Sequence, residues 1–495
     1  MLPDEPVHLL ERVPLKLPFW TYCEMFGDAP YTFLLDSARD PQKLGRYSFI
    51  AAEPFLVFRA KRAKTLPGAP HQARCTVVDK RSGGEPVEYV ADPLEELRRL
   101  MATHHVDLDA YVSRPVPYLA GAVGYFGYEA GYFVEDLPDT GRDDLDLPDI
   151  DLGFFDATLS HCHRTGASYV SVIGRGADRL AARALAERKR DDLLARIAAF
   201  ERAPHTQREG ASSSVSGRLL ASHVDETTYC AWVERTKDHI RAGDVFEMCL
   251  THRIESPFDG SPWELYRELR RVNPAPFGAF MRMPTCHVVS SSPERFLRLG
   301  HDRTAESRPI KGTRPRGADA AEDKRLYDDL AASLKDQAEN NMIVDLVRND
   351  LGRVCKFGTV HVPELRIIEA YATVYQMVST IRGQLGDGHD AIDLLRACFP
   401  GGSMTGAPKV EAMKLIDELE PVKRSVYSGS IGYMDFAGPL DLNIVIRTVV
   451  VANGKAYYNV GGAIVADSDP RAEYQETLDK ARALMTAIRN VTSSQ

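Results

Sequence analysis

The sequence contains no run of about 18 apolar residues, the length a helix needs to cross a bilayer, so no membrane span is expected. No two of its eight cysteines form a CxxC pair, which argues against a zinc site or a disulfide framework and fits reduced thiols in a cytoplasm. None of them sits in a glycine-flanked GxCxG nucleophile motif. The opening residues, MLPDEPVHLLERVPL, have neither a basic start nor an apolar core, so no signal peptide is expected and the localisation read is cytoplasmic. Positive charge is not in excess. The net charge of −9 disfavours nucleic acid as a partner. It leaves room for an anionic substrate, because a local arginine or a metal ion can override the global sign. There is no GxxxxGK[ST] loop and no Rossmann fingerprint, so no nucleotide is implied. Internal repeats are also missing.

What remains is a chain of 495 residues, 44% hydrophobic and 26% charged, enough to bury a large core. Residues 201–217, ERAPHTQREGASSSVSG, are too polar to repay the entropy of ordering and read as a linker. They divide a region 1–200 from a region 218–495, although one loop can also interrupt a single domain. Before the linker, 178–200 has apolar residues at helical spacing. Short strand-like runs appear at 32–35, 48–50, 55–58, 75–78 and 169–173, then at 287–291 and 442–451. A helix is expected over 332–348. Strands and helices in mixed order indicate an α+β fold rather than a βαβ repeat. The glycine- and tyrosine-rich GAVGYFGYEAG (121–131) reads as a close-packed sheet segment or a ligand-facing loop.

Four features carry possible chemistry. Lys311 lies in RPIKGTRPRG, where Pro-Ile before it and Gly-Thr after it suggest a strand end followed by a tight turn. Gly312 would let the backbone approach a ligand closely. A lysine held this way is a nucleophile if its ammonium is desolvated or lies beside other cations; on a surface turn it is merely solvated. Asp336 and Glu339, and again Glu473 and Glu476, are spaced i,i+3, which puts each pair on one helix face. Asp469 and Pro470 supply a cap and a first position for the second helix. If the faces meet, they suit Mg²⁺; if they do not, they are solvated surfaces, with Glu476 paired to Lys480. The turns at Phe399–Lys409 and Asn459–Pro470 offer backbone N–H groups to an anion. Finally, Arg447 stands inside an apolar run, and a buried guanidinium needs either an internal carboxylate or an anionic ligand.

The strings SSSPERF, RPIKGTRPRG, AENNMIVDLVRNDLGRV, PGGSMTGAPK, YSGSIGY, IVIRT and VGGAIVADSDPRAEYQET together resemble the chorismate-utilising enzymes. The resemblance covers about 220–490 through ordered motifs. It extends to an anthranilate-synthase-I-like region at 1–200 through TFLLDSARDPQKLGRYSFI and GYFGYEAG. It implies a large mixed fold with extensive antiparallel sheets and surrounding helices. PIKGT, in place of the PIAGT of anthranilate synthases, is similar to the aminodeoxychorismate branch, as is NPAPFGAF. Isochorismate and salicylate synthases carry a water-activating lysine where this chain has Glu247, so that match is poorer.

The resemblance implies that Glu339 and Glu476 hold Mg²⁺, with Asp336 and Glu473 beside or behind them. Gly312, Thr313, Ser403, Tyr427, Arg447, Gly461, Gly462 and Ala463 would line the chorismate pocket. Glu294 would protonate the departing C4 hydroxyl, helped by a pKa raised through burial. Lys311 would attack C2, and ammonia would then displace it at C4, giving 4-amino-4-deoxychorismate, a precursor of 4-aminobenzoate and folate. Glu306 is a weaker candidate for tuning the lysine. With no amidotransferase motif, ammonia would come from a separate glutamine amidotransferase subunit. Ser37, Pro276, Phe277 and Gly278 correspond to a possible tryptophan site, or to plain packing of a strand and turn. Two positions depart from the pattern: Tyr375 and Gln376 stand where relatives often have a histidine, and Ala463 replaces a glycine. The alternatives are an anthranilate synthase component I and a non-catalytic paralogue that binds chorismate or a partner.

Overall fold

A computed structural model describes residues 6–40, 42–62, 71–106, 114–204, 221–222, 224–371 and 374–492. Two 12-stranded antiparallel sheets carry the fold. Each draws strands from both sides of the polar segment. In the first sheet Thr32–Asp36 pairs with Phe277–Arg282. In the second, Gly121–Phe126 pairs with Ser430–Asp435. The expected linker begins on the last turn of the helix Arg179–Arg202, and from 205 onward it lies outside the described residues. The sequence boundary at 201–217 therefore does not separate two sheets.

The inner faces of the sheets meet in one apolar cluster. Phe33, Phe49, Met281 and Val288 come from the first sheet, and Val123, Phe155 and Ile431 from the second. Helices cover the outer faces. Leu484 and Ile488 of Pro470–Thr492 pack on the first sheet. Ile343, Val344 and Val347 of Leu334–Gly352 pack on the second. Each buried aliphatic side chain of this kind contributes about 1.5–3 kcal/mol relative to exposure, which fixes both acid-bearing helices to the scaffold. The α+β reading and the antiparallel sheets are as expected.

One open alternative is decided and two local expectations change. Gly121–Phe126 is a central strand, and a Cβ on Gly124 would come within 2.0 Å of the Asp151 carbonyl oxygen, so the first half of the glycine-rich segment is close-packed sheet, and Tyr128–Phe133 follows as a 3-10 helix. The apolar run 442–451 is not one strand. Leu440–Asn443 belongs to the second sheet and Thr448–Ala452 to the first, and the chain crosses between them at 444–447. Gly461 and Gly462 lie within the strand Lys455–Ile464, opposite Thr251 and Leu250, rather than in a turn after it.

Candidate active site

Lys311 sits in the strand Ile310–Pro315, which pairs with Val374–Gln384. Ile310 faces Val378 and Thr313 faces Gln376, so Lys311 and Gly312 together oppose Met377. This is a β-bulge, not the expected strand end and turn, and a bulge re-aims side chains next to it. Gly312 takes φ +83°, and a Cβ there would lie 2.8 Å from Cγ of Asp336. Both facts require glycine. Lys311 is buried, and its Nζ ion-pairs with Oε1 of Glu247. Burial works to lower its pKa, but the carboxylates of Glu247 and Glu339 outweigh it and hold the lysine above its ordinary value. The lysine is desolvated, as expected of a nucleophile. Its neighbours, however, are anions rather than cations, so it rests as an ammonium.

Glu294 follows the strand His287–Ser292 and is buried. Its Oε1 accepts from the backbone N–H of Ile310 at 3.4 Å, one residue before the lysine. Burial pushes its pKa up to about 7 against the opposing pull of Ser403, Ile310 and Lys311. The expected raised carboxyl is present, with Ser403 bonded to it from the turn Gly402–Met404.

The two acid pairs converge. The side chain of Ser333 caps the first helix, and Asp469 caps the second, its Oδ1 accepting from Ala472 N at 2.9 Å. Lys335 bridges the helices, its Nζ 3.8 Å from Glu339 and 3.1 Å from Glu473. A Cβ on Gly462 would meet Glu473 Oε2 at 3.0 Å and Glu476 Oε1 at 3.8 Å, so the glycine opens the strand to both carboxylates. Asp336 stands aside, paired to Arg314 at 3.0 Å. Glu476 is half-exposed and keeps its i,i+4 partner Lys480 at 2.7 Å, so that alternative pairing is also present.

Among the described residues no three His, Cys, Asp or Glu side chains form a ready metal cluster. Mg²⁺ does not require one, because one or two carboxylates with water and substrate oxygens suffice. The donor set fits such an ion. Oε2 of Glu473 is buried with no hydrogen-bond partner, and burial pushes the pKa of Glu339 up to about 7, the mark of under-compensated negative charge.

Arg447, at φ +52°, occupies the crossing between the sheets. No carboxylate of a described residue lies within ion-pair distance of it. Dense surrounding protein lowers its pKa, with the Tyr427 hydroxyl opposing, although part of its surface stays open. Of the two partners its sequence context allowed, the internal carboxylate is missing among the described residues. Tyr427 is buried beside it, Ala463 pairs with Cys249, and Thr313 is exposed on the lysine strand.

Other expectations fall elsewhere. Glu306 pairs with Arg295 and Arg382, each about 2.9 Å or closer, and is not placed to tune Lys311. Tyr375 donates to Asp323 at 2.6 Å under the Arg316 guanidinium, away from the lysine, and Gln376 is buried in the same strand. Ser37, Pro276, Phe277 and Gly278 all line one cavity of about 410 Å³ between the sheets, and Ser37 also donates to the carbonyls of Tyr47 and Pro276. Sequence reasoning missed two residues, Glu247 as the lysine's partner and Lys335 as the bridge. Lys335 was within reach through its i,i+4 spacing to Glu339; Glu247 had stood out only as the position where isochorismate and salicylate synthases carry a lysine, which does not point to Lys311.

Residues 32–486 match the family described as chorismate binding enzyme. Aminodeoxychorismate synthase component 1 of Escherichia coli (strain K12) is 36% identical over 467 residues, 94% of this chain and 95% of that protein. Anthranilate synthase component 1 of Cereibacter sphaeroides is 39% identical over 462 residues, 92% and 89% respectively. The crystal structure of anthranilate synthase component I from Streptococcus pneumoniae TIGR4 superposes with a TM-score of 0.72 at 29% identity, covering 89% of this chain and 92% of that one. With the acid-bearing helices, the lysine strand and the sheet crossing assembled as described, the chain belongs to the chorismate binding enzyme family.

Proposed function

We propose that the chain aminates chorismate at C4 with ammonia, in the manner of an aminodeoxychorismate synthase component I. The observation that carries this reading is a buried lysine one residue from the N–H that binds Glu294. It brings a potential nucleophile and a potential acid close enough for the Lys311 charge to act on the Glu294 carboxyl. Arg447 and Tyr427 take a substrate carboxylate, with Gly461, Gly462, Ala463, Gly312 and Thr313 lining the pocket. Glu339 and Glu476, backed by Glu473, would hold Mg²⁺, which would supply charge neutralisation for the other carboxylate. Lys311 attacks C2, and Glu294 gives its proton to the hydroxyl leaving C4. Ammonia from a separate amidotransferase subunit then bonds to C4 and releases the lysine. The cavity lined by Ser37 and Pro276–Gly278 would hold a tryptophan-sized amino acid. The competing reading, anthranilate synthesis, is favoured by the name of the Cereibacter sphaeroides relative.

Incubation with chorismate but no ammonium tests the reading. A peptide containing Lys311 should gain the mass of chorismate less one water; an unmodified peptide from that ammonium-free incubation, with an enzyme that turns over once ammonium is added, contradicts it. A pH series adds a second check. Glu294 must be protonated to act, so kcat should fall about tenfold per pH unit above about pH 7. Glu294→Gln should remove that limb and lower kcat by about 10²–10⁴-fold.

A further inference from the structure

The ion pair between Lys311 and Glu247 joins the two sheets at the site. Glu247 opens the strand Glu247–Pro257 of the first sheet, and Lys311 lies on the second. Both side chains are at least nine-tenths buried. Oε1 of Glu247 meets the ammonium, but Oε2 is buried with no hydrogen-bond partner. That second oxygen keeps its lone pairs free inside the site, next to the ammonium that the first oxygen holds.

An ammonium cannot attack carbon, so the lysine must lose a proton first. The groups that face it are Glu247, Glu339 from the first acid helix and the Cys249 thiol two residues along the same strand, while Glu294 and Glu476 also sense its charge. Under the reading above, Glu339 and Glu476 serve the cation and Glu294 must itself carry a proton. Burial keeps the Cys249 thiol protonated. One acceptor is left.

We propose that Glu247 is the proton acceptor that converts Lys311 into the attacking amine. This rests on Lys311 being the nucleophile. The Lys311 ammonium passes one proton to Glu247. The neutral amine forms the bond to C2 as the ring double bond shifts and the C4–O bond breaks, and the hydroxyl leaves as water with the Glu294 proton. Ammonium returns a proton to Glu294 and becomes ammonia. Ammonia bonds to C4, the C2–N bond breaks with its electron pair on nitrogen, and Lys311 leaves as a neutral amine. Glu247 then reprotonates it.

The test compares wild type, Lys311→Ala, Glu247→Gln and Glu247→Asp with chorismate, Mg²⁺ and ammonium across pH 6–9. Glu247→Gln should lower kcat by about 10²–10⁴-fold at neutral pH with the KM for chorismate little changed. The ratio of its kcat to that of wild type should climb about tenfold per pH unit, because the lysine then loses its proton to solvent. Glu247→Asp keeps a carboxylate and should be slower at a ratio independent of pH; it decides the matter if Glu247→Gln does not fold. A kcat in Glu247→Gln equal to or above that of wild type, or an Asp variant with the rising ratio, overturns the proposal. If Lys311→Ala keeps wild-type turnover, the covalent reading itself has failed. If Lys311→Ala is inactive while Glu247→Gln is normal, only the relay has failed.

Discussion

Replacing Lys311 with alanine is expected to lower ammonium-dependent turnover by on the order of 10³-fold or more, because no other amine stands in the bulge to form the ring adduct. The same change strips Glu247 of its partner. Breaking a buried pair from one side costs about 3–5 kcal/mol, so the melting temperature should also drop. Lys311→Arg separates the two effects. A guanidinium keeps a cation against Glu247 but stays protonated, so it should retain much of the stability and none of the turnover. Substantial activity in the arginine variant would mean that Lys311 serves only as a charge.

Arg447→Gln should do the reverse. The arginine has no carboxylate partner among the described residues, and its desolvation is a cost the fold bears. Its removal should leave the melting temperature unchanged or raise it. Binding should suffer, because truncating one member of a desolvated charge pair with the substrate costs about 2–5 kcal/mol. That corresponds to a KM for chorismate higher by about 30-fold to several thousandfold. A fall in thermal stability with unchanged KM would show that the side chain supports the sheet crossing rather than a ligand.

The difference between these residues follows what each owes to local and to distant structure. The acid helices were legible because their information is local: i,i+3 carboxylates in both, and in the second an aspartate cap with a proline at the first turn. The raised carboxyl of Glu294 was expected only through the resemblance carried by SSSPERF, a polar string that does not itself state burial. The bulge at Lys311 was not legible, because it is a property of register against Val374–Gln384, some sixty residues on, and nothing in PIKGT states that register. The apolar run 442–451 concealed a passage between sheets, since hydrophobicity is continuous whether a strand stays in one sheet or changes to another. The Glu247–Lys311 pair, 64 residues apart, depends on how the first sheet's strand end meets the second sheet's edge. The polar segment at 201–217 marked a break in composition, yet Thr32–Asp36 and Gly121–Phe126 still pair with strands beyond it.

The position of the new C–N bond rests on the same arrangement. Under the proposed reading a lysine that loads C2 directs ammonia to C4, whereas a site without that adduct would leave C2 itself open to ammonia. The decisive measurement is product identification by mass spectrometry and fluorescence with chorismate, Mg²⁺ and ammonium, before and after a separate lyase is added. The expected product is a non-fluorescent amino-deoxychorismate that becomes 4-aminobenzoate only with the lyase. Anthranilate fluorescence in the absence of the lyase would contradict it.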